Sequence, residues 1–262
     1  RAVVLIDDGP IGGGESSRPT AHLTAALDDR YYNIERMHGE EGARIAAESH
    51  MSAIHRIETI ASMEDIDCDF QRVEGFLFLG GESTRKDLER ELDATQRAGI
   101  TDTQLVDRIP FSFWDSGPAL RFPRQATFHP LKYLKGLARA ILRDGGKIYT
   151  GVHAVKIEDG VPARVTTSDG HVISADNVVV CTNTPVNDWL IIHTKQAAYR
   201  TYVICARIPK GSVPQGLYWD TPDPYHYIRI QHAEDKSGHE LDYDNLIVGG
   251  EDHKTGQAHH TD

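Results

Sequence analysis

Val3-Val4-Leu5-Ile6-Asp7-Asp8-Gly9-Pro10-Ile11-Gly12-Gly13-Gly14-Glu15-Ser16-Ser17-Arg18-Pro19-Thr20 is the stretch that decides the fold class. An apolar strand over residues 3–6 ends in Asp7 and runs at once into a glycine-rich turn. This order reads as the second half of a nucleotide-binding βαβ unit. In such a unit the carboxylate at the strand tip accepts hydrogen bonds from the ribose hydroxyls of adenosine. Gly12, Gly13 and Gly14 let the backbone approach a bulky ligand, and Ser16, Ser17, Arg18 and Thr20 offer hydroxyls and a fixed cation suited to a pyrophosphate. Two plainer readings stand beside this one: a strand that ends in Asp by chance, and a glycine-rich surface loop that holds nothing.

Composition narrows the class. A chain of 262 residues with 39% apolar and 26% charged residues reads as globular, with length for one large domain or two small ones. No stretch of about 18 apolar residues is present, and the start lacks the pattern of a secretion signal, so a cytoplasmic location is the default expectation. Acidic residues outnumber basic ones by 39 to 28, and the basic residues are scattered, which argues against a nucleic-acid partner. Cys68, Cys181 and Cys205 show no CxxC spacing and read as buried free thiols. Of the fourteen histidines only His253, His259 and His260 lie close together, in a tail read as solvated rather than metal-binding.

Outward from the turn, residues 28–62 read as a long helix whose apolar stripe, Ile34, Met37, Ile45, Ile54 and Ile57, is core packing. Residues 72–80 are a β-type run, and Ser83 and Thr84 cap a charged helix that ends near Gly99. Three prolines between Pro110 and Pro123 suit an irregular connection. Pro130 opens a helix that Gly145-Gly146 closes. Short strands follow at 147–149, 154–158, 163–167 and 171–174, and Asp159-Gly160 and Asp169-Gly170 between the later ones predict a three-stranded meander. The apolar run 177–181 suits a strand buried on both faces of a parallel sheet, with Thr182, Asn183, Thr184 and Pro185 at its ligand-binding end. Residues 198–207, 217–230 and 245–250 look like strands of an antiparallel sheet. Both chain ends look cut.

This order of elements resembles the FAD-dependent oxidoreductases of the D-amino-acid oxidase and glycine oxidase superfamily. The stretches Asp8-Gly-Pro-Ile-Gly-Gly-Gly-Glu, Thr20-Ala-His-Leu, Tyr199-Arg-Thr-Tyr, Tyr218-Trp-Asp-Thr and Gly249-Gly-Glu-Asp-His-Lys-Thr-Gly are similar to a bacterial branch that often carries a C-terminal Rieske domain. The resemblance covers essentially the whole chain. It implies an α/β fold, α+β overall: an incomplete Rossmann-like FAD-binding domain with a meander (residues 1–66 and 126–192), interrupted by an antiparallel-sheet substrate domain (67–125 and 193–262). By it, Asp7 matches the ribose-binding acid, where Glu is commoner. Gly13, Gly14, Ser17, Arg18, Thr20 and Ala21 match the loop along the pyrophosphate, Ala154 the position that meets adenine, and Thr182 and Asn183 a turn beside the cofactor. The GxGxxG turn, the segment that completes the flavin pocket and the ligands of a 2Fe-2S cluster would all lie outside residues 1–262. The expectation is a fragment that does not hold FAD tightly alone.

The implied substrates are amines and amino acids, oxidised at the C–H next to nitrogen by hydride transfer to flavin N5. An arginine is the expected partner of a substrate carboxylate. Arg200 and Arg229, beside Tyr199, Tyr202, Tyr225 and Tyr227, form the candidate substrate wall, with ordinary sheet pairing as the alternative. His22 follows the pyrophosphate loop as a hydrogen-bond donor or general base, or as a buried histidine satisfied by backbone. Two rivals remain: a nicotinamide-dependent dehydrogenase and a non-catalytic nucleotide-binding remnant. No membrane-spanning segment is expected, and the sequence names no redox partner.

Overall fold

A computed structural model describes residues 2–182, 186, 197–235 and 237–256. They form two compact units, residues 1–18, 130–199 and 254–262 in the first, and 19–129 and 200–253 in the second.

In the first unit the apolar run gives β1 (Val4–Asp7), which pairs in parallel with β6 (Lys147–Thr150), Asp7 opposite Thr150. Between them runs α3 (Pro130–Arg143), with Pro130 at its first position, where a missing N–H costs nothing. The helix ends as its glycines predict: Gly145 is left-handed at φ 84°, and the Gly146 N–H donates to the Ile141 carbonyl at 2.8 Å. The meander forms from β7 (Ala154–Glu158), β8 (Ala163–Thr167) and β9 (Val172–Ala175), all antiparallel, with an Asp-Gly pair in each connection.

One expectation for this unit fails. Residues 177–181 form no strand, and Val179 and Val180 are exposed. The parallel sheet comprises β1 and β6 among the described residues, so this apolar run has no ladder to join and no second layer to cover it. Thr182 is exposed beside it, and Asn183, Thr184, Pro185 and Trp189 lie outside the described residues.

The second unit is built on an eight-stranded sheet. Its strands are β2 (His22–Leu23), β3 (Gln71–Phe78), β4 (Gln104–Val106), β5 (Ala119–Thr127), β10 (Tyr199–Pro209), β11 (Leu217–Asp220), β12 (His226–Glu234) and β13 (Glu240–Lys254). Their order is β10-β13-β12-β11-β3-β5-β2, with β4 added on β5. The β3–β11 pairing is parallel, whereas β11–β12, β12–β13 and β3–β5 are antiparallel. Alternation along β3 explains a sheet buried on both sides. Leu77 packs with Leu88, Leu120, Phe122, Leu217 and Trp219 on one face, while Phe76 and Phe78 pack with Ile109, Phe111, Tyr218 and Ile230 on the other. The irregular connection stops at Gly117-Pro118, and Pro123 sits inside β5, because residues 119–127 find partners in β3 and β4.

Helix α1 (Tyr31–Met63) carries a break at Gly39 (φ 74°, ψ 172°). Residues beyond the break are therefore out of phase with a stripe counted from Ile34. Ile34 and Ile54 are buried, but Met37 and Ile45 are exposed, against expectation. The buried face is carried by Tyr31, Ala43, Ala47 and Ala61, and the small side chains of Ala43 and Ala47 allow close packing in one cluster with Ala94 and Ala98. Those two flank the end of α2 (Arg85–Arg97), which Thr84 and Asp87 open with a reciprocal capping box. Residues 19–66 thus pack within the second unit. Cys68 is buried as expected, whereas Cys181 and Cys205 are exposed: the first lies beside the unpaired run, the second on edge strand β10.

Candidate functional site

The first unit places its candidate residues at the carboxyl end of β1. Asp7 Oδ1 accepts the Gly9 N–H at 2.8 Å, which fixes the carboxylate and leaves Oδ2 exposed at the strand tip. Gly12 takes φ 75°, a conformation that favours glycine, and it lies close to the end of the Leu131 side chain of α3. Gly13 donates to the Pro10 carbonyl at 2.8 Å, Gly14 follows at φ 59°, and Ser17 Oγ donates to the Gly14 carbonyl at 3.0 Å. Arg18 meets Glu15 at 3.3 Å, an exposed ion pair of little energetic weight, so its guanidinium can turn to a phosphate. Ala154 begins β7 and is half-buried. An open carboxylate, close-approaching glycines and a lightly committed arginine fit a ribose and pyrophosphate.

The second unit holds a cleft of about 280 Å³, lined by residues 19–22 of the loop after Arg18, by Thr24, Ala26 and Asp28, and by Trp219, Tyr225 and Tyr227. Tyr227 on β12 and Tyr225, just before the strand begins, both line this cleft. The partners of β12 on β13 explain Gly249-Gly-Glu-Asp-His. Gly249 stands opposite Tyr227, and a Cβ there would overlap the Tyr227 ring; Gly250 stands opposite His226. Glu251 and Asp220 hold the two nitrogens of His226, at 3.1 and 2.9 Å, and these contacts, the Asp220 hydrogen bond first, raise its pKa.

His22 meets Tyr227 edge to face, with ring centroids 5.7 Å apart. Burial, with the nearby Arg229 cation second, pushes its pKa down to about 3, so the imidazole is neutral near pH 7. Its Nε2 is buried without a partner among the described residues. Such an orphaned polar atom is costly unless a ligand satisfies it, and this is the observation by which the cleft fits a polar cofactor or substrate. Ala21 just before it takes φ 55°, a left-handed conformation uncommon for alanine.

Arg229 lies on the same face of β12 as Tyr227 but is 7% exposed. Its Nη1 donates to the Thr20 carbonyl and its Nη2 to the Phe128 carbonyl, 3.0 Å away, and burial lowers its pKa. The structure therefore brings together His22, Arg229, Thr20 and Ala21. Arg200 and Tyr202 are elsewhere, exposed on β10 with β13 between them and β12; Tyr202 stacks on His253 at 5.0 Å. Asp28 and Trp219 escaped the sequence reading as site residues. Trp219 lay within a quoted motif, whereas nothing in the run Ala26-Leu27-Asp28-Asp29 marks one aspartate as lining a cleft.

A strand-tip acid with a glycine-rich turn, a meander and a large mixed sheet define the class of flavin-binding oxidoreductases. The chain belongs to the FAD dependent oxidoreductase (DAO) family, whose model matches residues 1–262. It is 30% identical over 98% of its length to YhfW of Bacillus subtilis (strain 168), whose name carries a Rieske 2Fe-2S assignment, and covers 48% of that protein. It is 28% identical over 71% of its length to gamma-glutamylputrescine oxidoreductase of Escherichia coli (strain K12), covering 44% of it. The chain thus spans about half the length of these relatives. Among solved structures it superposes on L-amino acid deaminase from Proteus vulgaris (TM-score 0.64, 18% identity, 94% of this chain and 61% of that one). Glycine oxidase from Geobacillus kaustophilus is similar (TM-score 0.61, 17% identity, 97% and 65%). Among the described residues no helix is long and apolar enough to cross a membrane.

Proposed function

We propose that this chain is the cofactor- and substrate-binding part of an FAD-dependent oxidoreductase that oxidises the C–H next to an amine nitrogen in a small amine or amino acid. The observation that carries the reading is the orphaned Nε2 of neutral His22 in an aromatic cleft, in a chain of this family. When bound, flavin would supply the two-electron oxidation chemistry. The chain's own residues bind and orient. Asp7, Gly13, Gly14, Ser17 and Arg18 would hold the ribose and pyrophosphate; Thr20 and Ala21 continue that loop, and Ala154, Thr182 and Asn183 would complete the cofactor contacts. His22 offers an uncharged imidazole to the bound ligands. With its pKa near 3 it is a hydrogen-bonding group rather than a strong base. Arg229 is a positioning residue, pinning the Thr20 and Phe128 carbonyls. Arg200 and Tyr202 belong to the outer part of the same substrate-facing sheet.

The likeness to YhfW supports a Rieske 2Fe-2S domain in the same polypeptide as a part of this reading. Three cysteines without a disulfide support a reducing, cytoplasmic setting. The test is the visible spectrum of the protein expressed from its natural coding sequence, before and after anaerobic addition of amines and amino acids. Flavin bands that bleach are expected, over a broad iron-sulfur absorption. A colourless protein sinks the flavin reading, and flavin that no amine or amino acid bleaches sinks the substrate class.

A further inference from the structure

The geometry points to a cationic amine without a neighbouring carboxylate as the substrate class of the cleft, its charge held by Asp28 and the faces of Trp219, Tyr225 and Tyr227. This rests on the amine-oxidation reading and narrows it.

Charge decides the matter first. Among the residues that line the cleft, Asp28 is the charged one at neutral pH, since His22 is neutral there, and no arginine or lysine lines it. Asp28 sits at the exposed mouth, where its Oδ2 accepts the Tyr225 hydroxyl at 3.2 Å. It forms no ion pair among the described residues. The adjacent Arg30 turns instead to the carbonyls of Leu27 and Asp220, at 3.4 and 3.3 Å. Crowding by protein raises the Asp28 pKa, against the Tyr225 hydrogen bond and the Arg30 cation, which lower it, and Asp29 and Asp252 add negative potential around it. A carboxylate that is partly desolvated and makes no ion pair, with the Arg30 cation nearby but turned to backbone, gains from a bound ammonium.

The walls agree with the charge. Tyr225 and Tyr227 stand 6.2 Å apart between ring centroids at 50°, and Trp219 is buried beside them. Aromatic faces attract a cation and shelter its alkyl carbons. An α-amino acid would bring a carboxylate into this same field, and no cation lines the cleft to receive it. The guanidinium of Arg229 is buried outside the lining, with Nη1 and Nη2 on two backbone carbonyls and Nε without a partner among the described residues, and Arg200 stands on β10, also outside the lining.

The test compares three probes of one carbon skeleton, n-butylamine, norvaline and n-butanol, titrated anaerobically into the FAD-loaded protein. Tryptophan fluorescence reads binding and the flavin band reads oxidation. Butylamine should bind at least about tenfold more tightly than either other probe, the scale of a desolvated cation–π contact with a carboxylate. Asp28→Asn should erase that preference and Asp29→Asn retain most of it. Norvaline binding as tightly as butylamine, or a preference that survives Asp28→Asn, overturns the inference; the wild-type series needs no variant to fold. If norvaline bleaches the flavin and butylamine does not, the inference fails while amine oxidation stands. If butylamine binds through Asp28 and nothing bleaches, oxidation fails and the ammonium site stands.

Discussion

Glu91 is 2% exposed on α2, and its carboxylate accepts the N–H groups of Tyr31 and Tyr32, at 3.0 and 3.3 Å, at the start of α1. Burial outweighs those two hydrogen bonds and raises its pKa from 4.5 to about 7. Below pH 4.5 the carboxyl is protonated in the folded and the unfolded chain alike. Between pH 4.5 and 7 the unfolded chain ionises while the folded one keeps its proton, so stability falls by up to about 1.4 kcal/mol per pH unit. Above pH 7 the loss is complete, at about 3 kcal/mol. Glu91→Gln removes the charge but keeps one carbonyl oxygen for Tyr31, and the Tyr32 N–H loses its acceptor at a cost of about 1 kcal/mol. The variant should therefore be less stable than wild type by about 1 kcal/mol at pH 4.5 and more stable by about 2 kcal/mol at pH 8. Urea unfolding followed by tryptophan fluorescence suits this test, because Trp114 and Trp219 lie in the same unit as Glu91. A midpoint difference that does not change with pH, or a variant weaker at both pH values, refutes the argument.

His22 works in the opposite sense: its folded pKa of about 3 lies below the ordinary 6.5, so stability is lost as pH falls from 6.5 toward 3. His22→Asn should flatten that acid limb, and equal acid lability in both proteins would show that the ring protonates in place. Gly249→Ala puts a Cβ 2.2 Å from the Tyr227 ring, and overpacking of this kind costs about 1–3 kcal/mol. Chemical denaturation reads the cost, and an unchanged midpoint would mean that Tyr227 moves freely. Asp7→Asn should weaken FAD retention by about tenfold to a hundredfold, the worth of charge-assisted hydrogen bonds. Equal flavin release on dilution from both proteins would remove Asp7 from the ribose site.

Features set by neighbours in sequence were readable from it. Pro130 and Gly145-Gly146 bound a helix, Thr84 caps another, and Asp159-Gly160 and Asp169-Gly170 separate the strands of the meander, because each acts through its own backbone dihedrals or a bond a few residues away. Features set by distant partners were not. Residues 177–181 have the composition of a buried strand, but a strand exists by what pairs with it. Ile45 fits the period of an unbroken helix, and the break at Gly39 takes it off the core face, while Met37 is exposed just ahead of the break. Glu91 looks like any charge on a polar helix until Tyr31 and Tyr32 arrive from sixty residues away. In the candidate site, Tyr225, Tyr227 and His22 were legible as types that suit a cleft. The commitment of Arg229 to backbone and the place of Asp28 at the mouth depend on a fold no local pattern reveals.

The parallel pairing of β3 with β11 dictates an order of events during synthesis. Strands β3 and β5 can pair as soon as residue 127 is available, but Leu217 and Trp219 close the same apolar face and are translated ninety residues later. All of residues 130–199, the bulk of the other unit, emerge in between. The growing chain must therefore carry a half-covered sheet, with Leu77 and Leu120 waiting for their cover, through that interval. Synonymous codon changes that slow or hasten the ribosome across residues 130–216 should alter the yield of native protein while leaving the finished molecule unchanged.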